Sequence, residues 1–307
     1  MKRPILLILT IAAIVAACGN SYQEQRRLTQ QQRKQALRSD SAALKIAVMP
    51  TLECLPIYIA KERRLFDTLG VDIRLKPYMA QIDCDTAFER QRVELCVTDL
   101  VRAERLRTRG MQIEYLTSTT LAWQLFSGHN ARVKQMKQLD EKMIGMTRFS
   151  ATDLLADLAA DSGKIKPERL FKIQVNNVKT RVQMLRNQQI DAAFLPEPQA
   201  TEAKLAYART IGSSKAQDLQ LGVIAINKKI TTGKERTKQI EAFKKAYNQA
   251  VDSIRKKGIA HYKPLILKHM YVDQQTADAI KDYPYQHITP PREQDIQKAK
   301  KWYERNR

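Results

Sequence analysis

The chain has 307 residues, of which 53 are Lys or Arg and 32 are Asp or Glu, giving a formal net charge of +21. Hydrophobic residues make up 43% of the sequence, which is enough to fill a core and excludes a chain that is disordered throughout. With 10 Gly, 11 Pro and 4 Cys, the protein is neither collagen-like nor low-complexity nor a small disulfide-built fold. The length predicts two domains or one large one.

The N-terminal residues have the pattern of a secretory signal. An apolar run over residues 5–17 follows two basic residues and is too short to cross a membrane as a helix. Residues 15–18 read Val-Ala-Ala-Cys, which resembles a bacterial lipobox. The resemblance implies that residues 1–17 are a signal peptide and that Cys18 carries lipid. The protein would then be exported and anchored to a cell-envelope membrane, facing the periplasm or the cell exterior. The alternative is an ordinary cleavage site followed by a chance cysteine.

Residues 18–43 are predicted to be a lipid-anchored, basic and Gln-rich tether. Between Gly19 and Ser41 the chain has six Gln and five Lys or Arg without a broad apolar stripe, which indicates a solvated segment that is helical in part. Its basic residues suit contact with anionic lipid headgroups. The positive charge is otherwise spread along the chain. Export and the lack of a nucleic-acid-binding motif argue against a nucleic-acid partner.

One order of strands and helices occurs twice, in residues 44–99 and 143–197. Strands that alternate with helices form parallel sheets with right-handed connections. We therefore expect an α/β fold with two lobes, each a mostly parallel sheet flanked by helices. The predicted elements are strand 44–49, helix 55–65, strand 71–75, helix 86–92 and strand 95–97, then strand 143–147, helix 151–161, strand 170–175, a helix marked by Val178, Val182 and Leu185, and strand 190–195.

Two further strand-like runs connect the copies. Residues 111–126 are predicted to carry the chain into the second lobe, and residues 219–226 to carry it back. Beyond Lys234 the apolar spacing is helical, and prolines interrupt the tail. The first lobe is then discontinuous. The predicted boundaries are 44–126 for its first part, 127–218 for the second lobe, and 219–307 for the return to the first lobe and the helical tail.

Four segments resemble a known family. They are LKIAV at 44–48, LPIYIAKE at 55–62, LGVDI at 69–73 and QIDAAFLPEP at 189–198. They are similar to substrate-binding proteins of ABC importers, of the nitrate/taurine/sulfonate and thiamine-pyrimidine-precursor group, over about residues 44–260. This resemblance implies a type II periplasmic-binding-protein fold with a small-molecule ligand held between lobes that close by a hinge. It also implies an ABC permease as partner, and no catalysis. We expect a monomer.

Candidate ligand-binding residues follow from the rule that ligands of open α/β sheets lie beyond the carboxyl ends of the strands. They are Thr51, Glu53, Cys54, Asp83, Thr98, Asp99, Trp123, Arg148, Ser150, Thr152, Asn177 and Glu197. Asp85 and Asn176 adjoin them. The helix start at Ser150–Thr152, aided by Arg148, is a candidate anion site. The alternatives are that Ser150 is only an N-cap and that Trp123 is a core residue.

The loop Thr51-Leu52-Glu53-Cys54 departs from the small-residue loop that the family often has there, which leaves the family's usual ligands in doubt. The net charge favours an anion, whereas the acidic candidates favour a cation, so the charge of the ligand stays open.

Cys54 and Cys84 follow neighbouring predicted strands, so a disulfide between them is the favoured pairing in an oxidising compartment, while Cys96 is expected to be buried.

Catalytic and metal-binding patterns are missing from the sequence. The four His lack metal-ligand spacing, and neither G-x-S-x-G nor a phosphate-binding Gly loop occurs. We therefore expect no metal, no cofactor and no enzymatic activity. Two other classes remain open: an enzyme on the same fold, of the thiamine-precursor or menaquinone-pathway type, and a lipoprotein that acts as a sensor or binds a partner without transport.

Overall fold

The computed structural model of the protein describes residues 22–307. The first described element is helix α1 (Tyr22–Ala42), and nearly all of its described side chains are exposed. It belongs to a unit separate from residues 44–307. The predicted signal peptide and Cys18 lie outside the described residues. Among the helices from residue 22 onward, none is long and apolar enough to cross a membrane.

Residues 44–307 contain ten strands and a larger number of helices. The strands are β1 (Leu44–Val48), β2 (Ile73–Pro77), β3 (Leu95–Asp99), β4 (Ile113–Ser118), β5 (Gln124–Ser127), β6 (Lys142–Met146), β7 (Leu170–Gln174), β8 (Ala192–Leu195), β9 (Arg209–Ser213) and β10 (Gly222–Asn227). The α-helices are α2 (Leu55–Glu62), α3 (Leu65–Thr68), α4 (Gln81–Glu89), α5 (Leu100–Thr108), α6 (Ala151–Gly163), α7 (Val178–Arg186), α8 (Gln199–Leu205), α9 (Lys234–Lys257), α10 (Lys263–Met270), α11 (Gln274–Ala279) and α12 (Glu293–Asn306).

The strands form two five-stranded sheets of the same design. Their orders are β2-β1-β3-β10-β4 and β7-β6-β8-β5-β9. In the first sheet β1 pairs in parallel with β2 and β3, and only β10 runs against the other strands. In the second sheet β6 pairs in parallel with β7 and β8, and only β5 runs against the rest. We call each sheet with its flanking helices a lobe. The predicted two-lobed α/β fold is confirmed.

The two reversed strands are the ones that enter a lobe from the other lobe. The predicted run over 111–126 is two strands, of which β4 stays in the first sheet and β5 joins the second. The run over 219–226 becomes β10 and returns to the first sheet. The two connections between the lobes lie side by side: Ser214 N–H donates to the Trp123 carbonyl (2.9 Å), and Thr119 N–H donates to the Gly222 carbonyl (2.8 Å). Adjacent connections of this kind suit a hinge.

Burial explains the apolar sequence of the central strands. Every residue of β1 is buried, as are those of β3, β8 and β10, because helices cover both faces of each sheet. The buried face of α9 contains Phe243, Tyr247 and Ile254, at the helical spacing seen in the sequence. Helix α12 packs on α5 and α6, and Trp302 Nε1 donates to Asp157 Oδ2 over 2.8 Å. This terminal helix therefore contacts both lobes.

One predicted helix starts at the wrong place. The sequence predicted a helix from residue 86, whereas α4 begins at Gln81. Asp83 and Asp85 consequently lie in the helix and not in a loop after β2. The Asp83 side chain is exposed, and Asp85 is buried. The helix has Ala80 as its N-cap, without a side-chain hydrogen bond, so the sequence lacks the usual capping residue, although Asp83 in the first turn is a signal for its start.

Candidate ligand-binding cleft

A cavity lined by both polar and apolar side chains lies between the carboxyl ends of the strands of the two sheets. It has about 50 Å³ of room for the centres of water-sized molecules, which is space for a few waters or a compact ligand. The polar lining residues of the first lobe are Thr51, Glu53, Gln81 and Asp99. Those of the second lobe are Thr147, Ser150, Thr152, Asn176 and Arg181. Trp123, on the connection between the lobes, also lines it.

Direct contacts between the lobes close the cleft around this cavity. They are the hydrogen bond from Leu52 N–H to the Glu197 carbonyl (2.9 Å), the bond from Gln199 Nε2 to the Pro50 carbonyl (2.9 Å), and an antiparallel bridge between Ala80 and Asn177. Each of these joins a segment of the first lobe to one of the second. The structure is therefore a closed form, and a ligand of more than a few heavy atoms needs the lobes to separate before it can enter.

Asp99 ends β3 and is the N-cap of α5. Its Oδ1 accepts hydrogen bonds from Arg102 N–H in its own helix and from Ala151 N–H in the second lobe, both over 3.0 Å. The side chain is 4% exposed. Burial raises its pKa to about 7, while the nearby Arg102 charge and the two N–H donors oppose that rise. The carboxyl group is therefore near its protonation midpoint at neutral pH.

Glu53 lies in a short turn of 3-10 helix after β1, facing the same cavity. Its oxygens accept hydrogen bonds from Thr51 Oγ1 (3.0 Å) and Thr119 Oγ1 (3.1 Å). Burial is the largest influence on its pKa, which rises to about 8; the two hydroxyl donors lower it, and the Asp99 carboxylate raises it further. Two carboxyl groups that interact with each other thus line one cavity.

Arg181 is the buried cation of the second lobe, and it was missed in the sequence. Its guanidinium donates to the Val175 and Phe194 carbonyls and to Thr147 Oγ1 at 2.7–3.3 Å, which uses four of its five N–H groups. Burial, followed by the charge of Arg102, lowers its pKa to about 10. The available signal was its spacing: Arg181 occupies the i+3 position of the apolar stripe that begins at Val178.

The anion site expected at the start of α6 is not available. Ser150 caps the helix by accepting from Thr152 N–H over 3.1 Å, and Asp99 already occupies the Ala151 N–H. Arg148, which was expected to assist, is exposed and lies over the ring of Phe149, away from the cavity. Ser150 and Thr152 do line the cavity.

Four other predicted residues, Asp83, Thr98, Asn177 and Glu197, lie outside the cavity lining, whereas Trp123 is part of it. The Asn177 side chain caps α7 by accepting from two backbone N–H groups, and Asp83 is exposed. Glu197 accepts from Gln124 Nε2 and from Thr201, beside a second opening between the lobes. Thr98 Oγ1 is buried without a hydrogen-bond partner in the described part of the chain. Trp123 lines the cavity and is 7% exposed, so it is both packed and available to a ligand.

The predicted disulfide between Cys54 and Cys84 is not formed. Both residues, and Cys96, are free thiols with no exposed surface. Met49 lies between the first two: its backbone N–H donates to Cys54 Sγ (3.4 Å), and Cys84 Sγ donates to its Sδ (3.5 Å). Cys54 therefore belongs to the core beneath the cleft wall and does not line the cavity.

No metal centre is built from the described residues. From residue 22 to residue 307, no group of three or more His, Cys, Asp or Glu side chains is arranged to hold a metal ion. Behind Asp99, Asp85 and Arg102 form a buried ion pair.

Comparison with solved structures places the fold among periplasmic binding proteins. The alkanesulfonate-binding protein SsuA from Xanthomonas axonopodis pv. citri, bound to MOPS, superposes with a TM-score of 0.72 at 16% identity, covering 84% of this chain and 90% of that one. The aliphatic sulphonate-binding protein SsuA from Escherichia coli gives 0.72 at 15% identity, with coverage of 86% and 92%. The nitrate-binding protein NrtA from Synechocystis PCC 6803 gives 0.66 at 12% identity, with coverage of 83% and 74%.

At the level of sequence, no curated protein matches this chain. The family described as "NMT1/THI5 like" matches residues 51–257, about two thirds of the chain, so the protein belongs to the NMT1/THI5-like family.

Proposed function

We propose that this protein is the lipid-anchored solute-binding component of an ABC importer, which captures a small polar molecule by closing its two lobes around it. The observation that carries the proposal is the cavity between the lobes. Polar side chains of both lobes line it, and direct hydrogen bonds between the lobes enclose it. A ligand that contacted both walls would favour the closed form over an open one, which is how binding drives a hinge.

Family and fold support the same role. The chain belongs to the NMT1/THI5-like family, and the solved structures named above are sulfonate- and nitrate-binding proteins. A binding protein of this kind acts as a monomer that delivers its cargo to a permease in the membrane. The proposed partners are therefore a small-molecule ligand and an ABC permease.

The anchor follows from the N-terminal sequence. The lipobox-like residues 15–18 precede a polar helix, α1, and the folded lobes begin at Leu44. Lipid on Cys18 would keep the lobes close to the permease, and residues 18–43 would serve as the tether between the lipid and the lobes. We place the protein on a cell-envelope membrane, facing the periplasm or the cell exterior.

We do not assign the ligands of the similar solved structures, sulfonates and nitrate, to this protein. Sulfonates and nitrate are anions, and a site for either needs free cationic or N–H donors. In this cleft the Ala151 N–H already binds Asp99, and Arg181 has a single N–H group left over.

Catalysis on the same fold is the second candidate, and one observation favours it. Two interacting carboxyl groups with raised pKa values in a cleft, Glu53 and Asp99, are also what general acid–base catalysis uses. The two functions differ in the fate of the bound molecule, since a binding protein returns it unchanged.

The experiment that tests the proposal uses the full chain, purified from its native membrane in mild detergent. Acid release and mass spectrometry should find one small molecule at close to one equivalent, and calorimetry should show that this molecule rebinds. Recovery of the same mass after prolonged incubation supports binding, and a changed mass supports an enzyme. Lipid on the N-terminal peptide tests the anchor in the same sample. If no small molecule is released and none of the extracted metabolites rebinds, the importer role is wrong.

A further inference from the structure

The cavity presents hydrogen-bond acceptors that the protein itself does not use. Asp99 Oδ1 accepts two hydrogen bonds. The other carboxylate oxygen of Asp99, Oδ2, has no hydrogen-bond partner among the described residues, although the residue is only 4% exposed. Gln81 turns its Nε2 to the Val97 carbonyl over 3.1 Å, which leaves its Oε1 without a partner in the same part of the chain. Each oxygen of Glu53 accepts one hydrogen bond and has capacity for another.

Most donors in the cavity, by contrast, are already in hydrogen bonds or belong to uncharged groups. Arg181 is bonded to carbonyls and a hydroxyl through four of its N–H groups, and Asp99 and Ser150 occupy the first N–H groups of α6. Across residues 22–307, the lining side chains with N–H donors still available are Gln81, through the second N–H of its Nε2, and Trp123, Asn176 and Arg181; only Arg181 is charged, and it has one N–H left. An anion would therefore meet two carboxyl groups and a single available N–H of a charged side chain.

We propose that the ligand is a small organic cation with N–H donors, such as a protonated amine or a guanidinium group, bound by the Glu53 and Asp99 carboxylates. This inference rests on the proposed binding function and names the class of ligand. The cation donates to Asp99 Oδ2 and to the Glu53 oxygens, and such charge-assisted bonds are about twice as strong as neutral ones. The Trp123 ring lines the same cavity and adds a face that attracts cations.

Protonation couples to this binding. Burial raises the pKa of Glu53 to about 8 and that of Asp99 to about 7, so both groups take up protons when no cation is present. The charged groups around them are Arg102 and Asp85 behind Asp99, and Arg181 across the cavity. A bound cation stabilises the ionised carboxylates, so binding should release protons and become tighter as the pH rises from 6 to 9.

The test is a titration of the full chain in detergent with minimal probes at constant ionic strength. The cations are methylammonium, guanidinium and tetramethylammonium, the anions are methanesulfonate and nitrate, and acetamide is the neutral probe. Thermal unfolding and calorimetry are recorded at pH 6 and pH 9. Trp123 fluorescence reports on the cavity, since Trp302, the other Trp, lies on α12.

The expected result is saturable stabilisation by an N–H-bearing cation, stronger at pH 9 than at pH 6. Glu53→Gln and Asp99→Asn should each weaken it at least roughly tenfold, which corresponds to about 1.4 kcal/mol. Glu89→Gln is the matched control, because it removes a carboxylate from α4 that pairs with Arg109 outside the cavity; it should leave binding unchanged.

Two outcomes would overturn the inference. One is the absence of stabilisation by any cation up to tens of millimolar. The other is cation binding that persists in both cleft variants, which would place it elsewhere. Stabilisation by an anion instead, or recovery of an anionic molecule from the native protein, would overturn the cation assignment and leave the importer role standing. The proposed function fails if no small molecule is recovered or rebinds, or if the bound molecule is chemically changed.

Discussion

The carboxylate of Asp99 accepts a hydrogen bond of 3.0 Å from the backbone N–H of Ala151, across the cleft. The same oxygen caps α5 by accepting from Arg102 N–H. One side chain of the first lobe therefore accepts hydrogen bonds from backbone N–H groups in the first turns of two helices, one in each lobe. The dipoles of both helices favour a negative charge at this position. This contact links the two lobes directly in the closed form.

Removing the Asp99 side chain should shift the protein toward an open form. In Asp99→Ala the Ala151 N–H loses its partner, and the loss of such a cap typically costs about 1 kcal/mol. We expect a larger radius of gyration by small-angle X-ray scattering. Asp99→Asn is the control, since its Oδ1 still accepts both hydrogen bonds and should keep the lobes closed. Identical scattering curves for Asp99→Ala and the wild type would show that this contact does not hold the lobes together.

The stability of the protein should fall as the pH rises through the neutral range. The pKa of Glu53 is raised to about 8 and that of Asp99 to about 7, so the folded state keeps protons that the unfolded chain loses from about pH 4 onward. Each group therefore lowers the free energy of unfolding by at most about 1.4 kcal/mol per pH unit, up to its folded-state pKa. Denaturant titrations from pH 5 to pH 9 measure this slope.

Glu53→Gln isolates the contribution of one group. The amide is neutral at every pH, and the Thr51 and Thr119 hydroxyls can rotate to suit it. We expect a shallower slope between pH 5 and pH 8 and a variant more stable than the wild type above pH 8. Parallel curves for the two proteins would contradict the raised pKa of Glu53.

A buried ion pair between Asp85 and Arg102 joins α4 to α5. The Arg102 side chain has no exposed surface, and its Nε and Nη1 have no hydrogen-bond partner among the described residues. Asp85→Leu should therefore destabilise the protein by about 3–5 kcal/mol, because it leaves a guanidinium in the core without its counter-ion. Denaturant unfolding at one fixed pH measures the loss.

The double variant Asp85→Leu/Arg102→Met supplies the control for that prediction. With both charges gone, apolar side chains of similar length fill the space, and such replacements of a buried pair are often neutral or stabilising. Most of the lost stability should return. If the double variant were as unstable as Asp85→Leu, shape and not charge would explain the effect.

The three free thiols should be unreactive in the folded protein. Cys54, Cys84 and Cys96 have no exposed surface, and burial followed by the Glu53 charge raises the pKa of Cys54 well above its usual range. A maleimide should label none of them under native conditions and all three in denaturant without a reductant. Peptide mapping that found Cys54 linked to Cys84 would instead restore the disulfide expected from the sequence.

The repeated β-α-β-α-β order could be predicted because strands buried on both faces are continuous apolar runs, as residues 44–48 are. The split of residues 111–126 into two strands could not. Residues 119–123 separate β4 from β5 without a Gly or Pro, so the apolar pattern continues across the break. Which sheet each half joins depends on contacts with β10 and β8, far away in sequence.

The site was predictable where it follows strand ends and not where it depends on helix faces. Glu53 and Asp99 follow β1 and β3, and both line the cavity as expected. Arg148 also follows a strand, but its side chain lies on the outer face, whereas Arg181 reaches the cavity from the buried face of α7. A buried Arg looks like a surface residue in a sequence unless its position in the apolar stripe is weighed.

A disulfide across the cleft mouth should stop the exchange of ligand. Ala80 and Asn177 form an antiparallel bridge, one from each lobe, in which Cα atoms lie at about 4.5–5.5 Å, within the range of disulfides. The variant Ala80→Cys/Asn177→Cys, oxidised without ligand, should bind nothing at equilibrium. Added reductant should restore binding, because it frees the lobes to separate. Calorimetry before and after reduction measures both states.

Asn177→Cys alone is the control. Asn177 also caps α7 by accepting from the Lys179 and Thr180 N–H groups, and the single variant measures the effect of losing this cap without the disulfide. The native thiols do not compete, since Cys54, Cys84 and Cys96 are buried. When the double variant is oxidised with ligand already bound, the ligand should stay through extensive dialysis and leave once the disulfide is reduced. Equal binding by the oxidised and reduced forms would mean that the cavity fills without movement of the lobes, and the hinge mechanism would then be wrong.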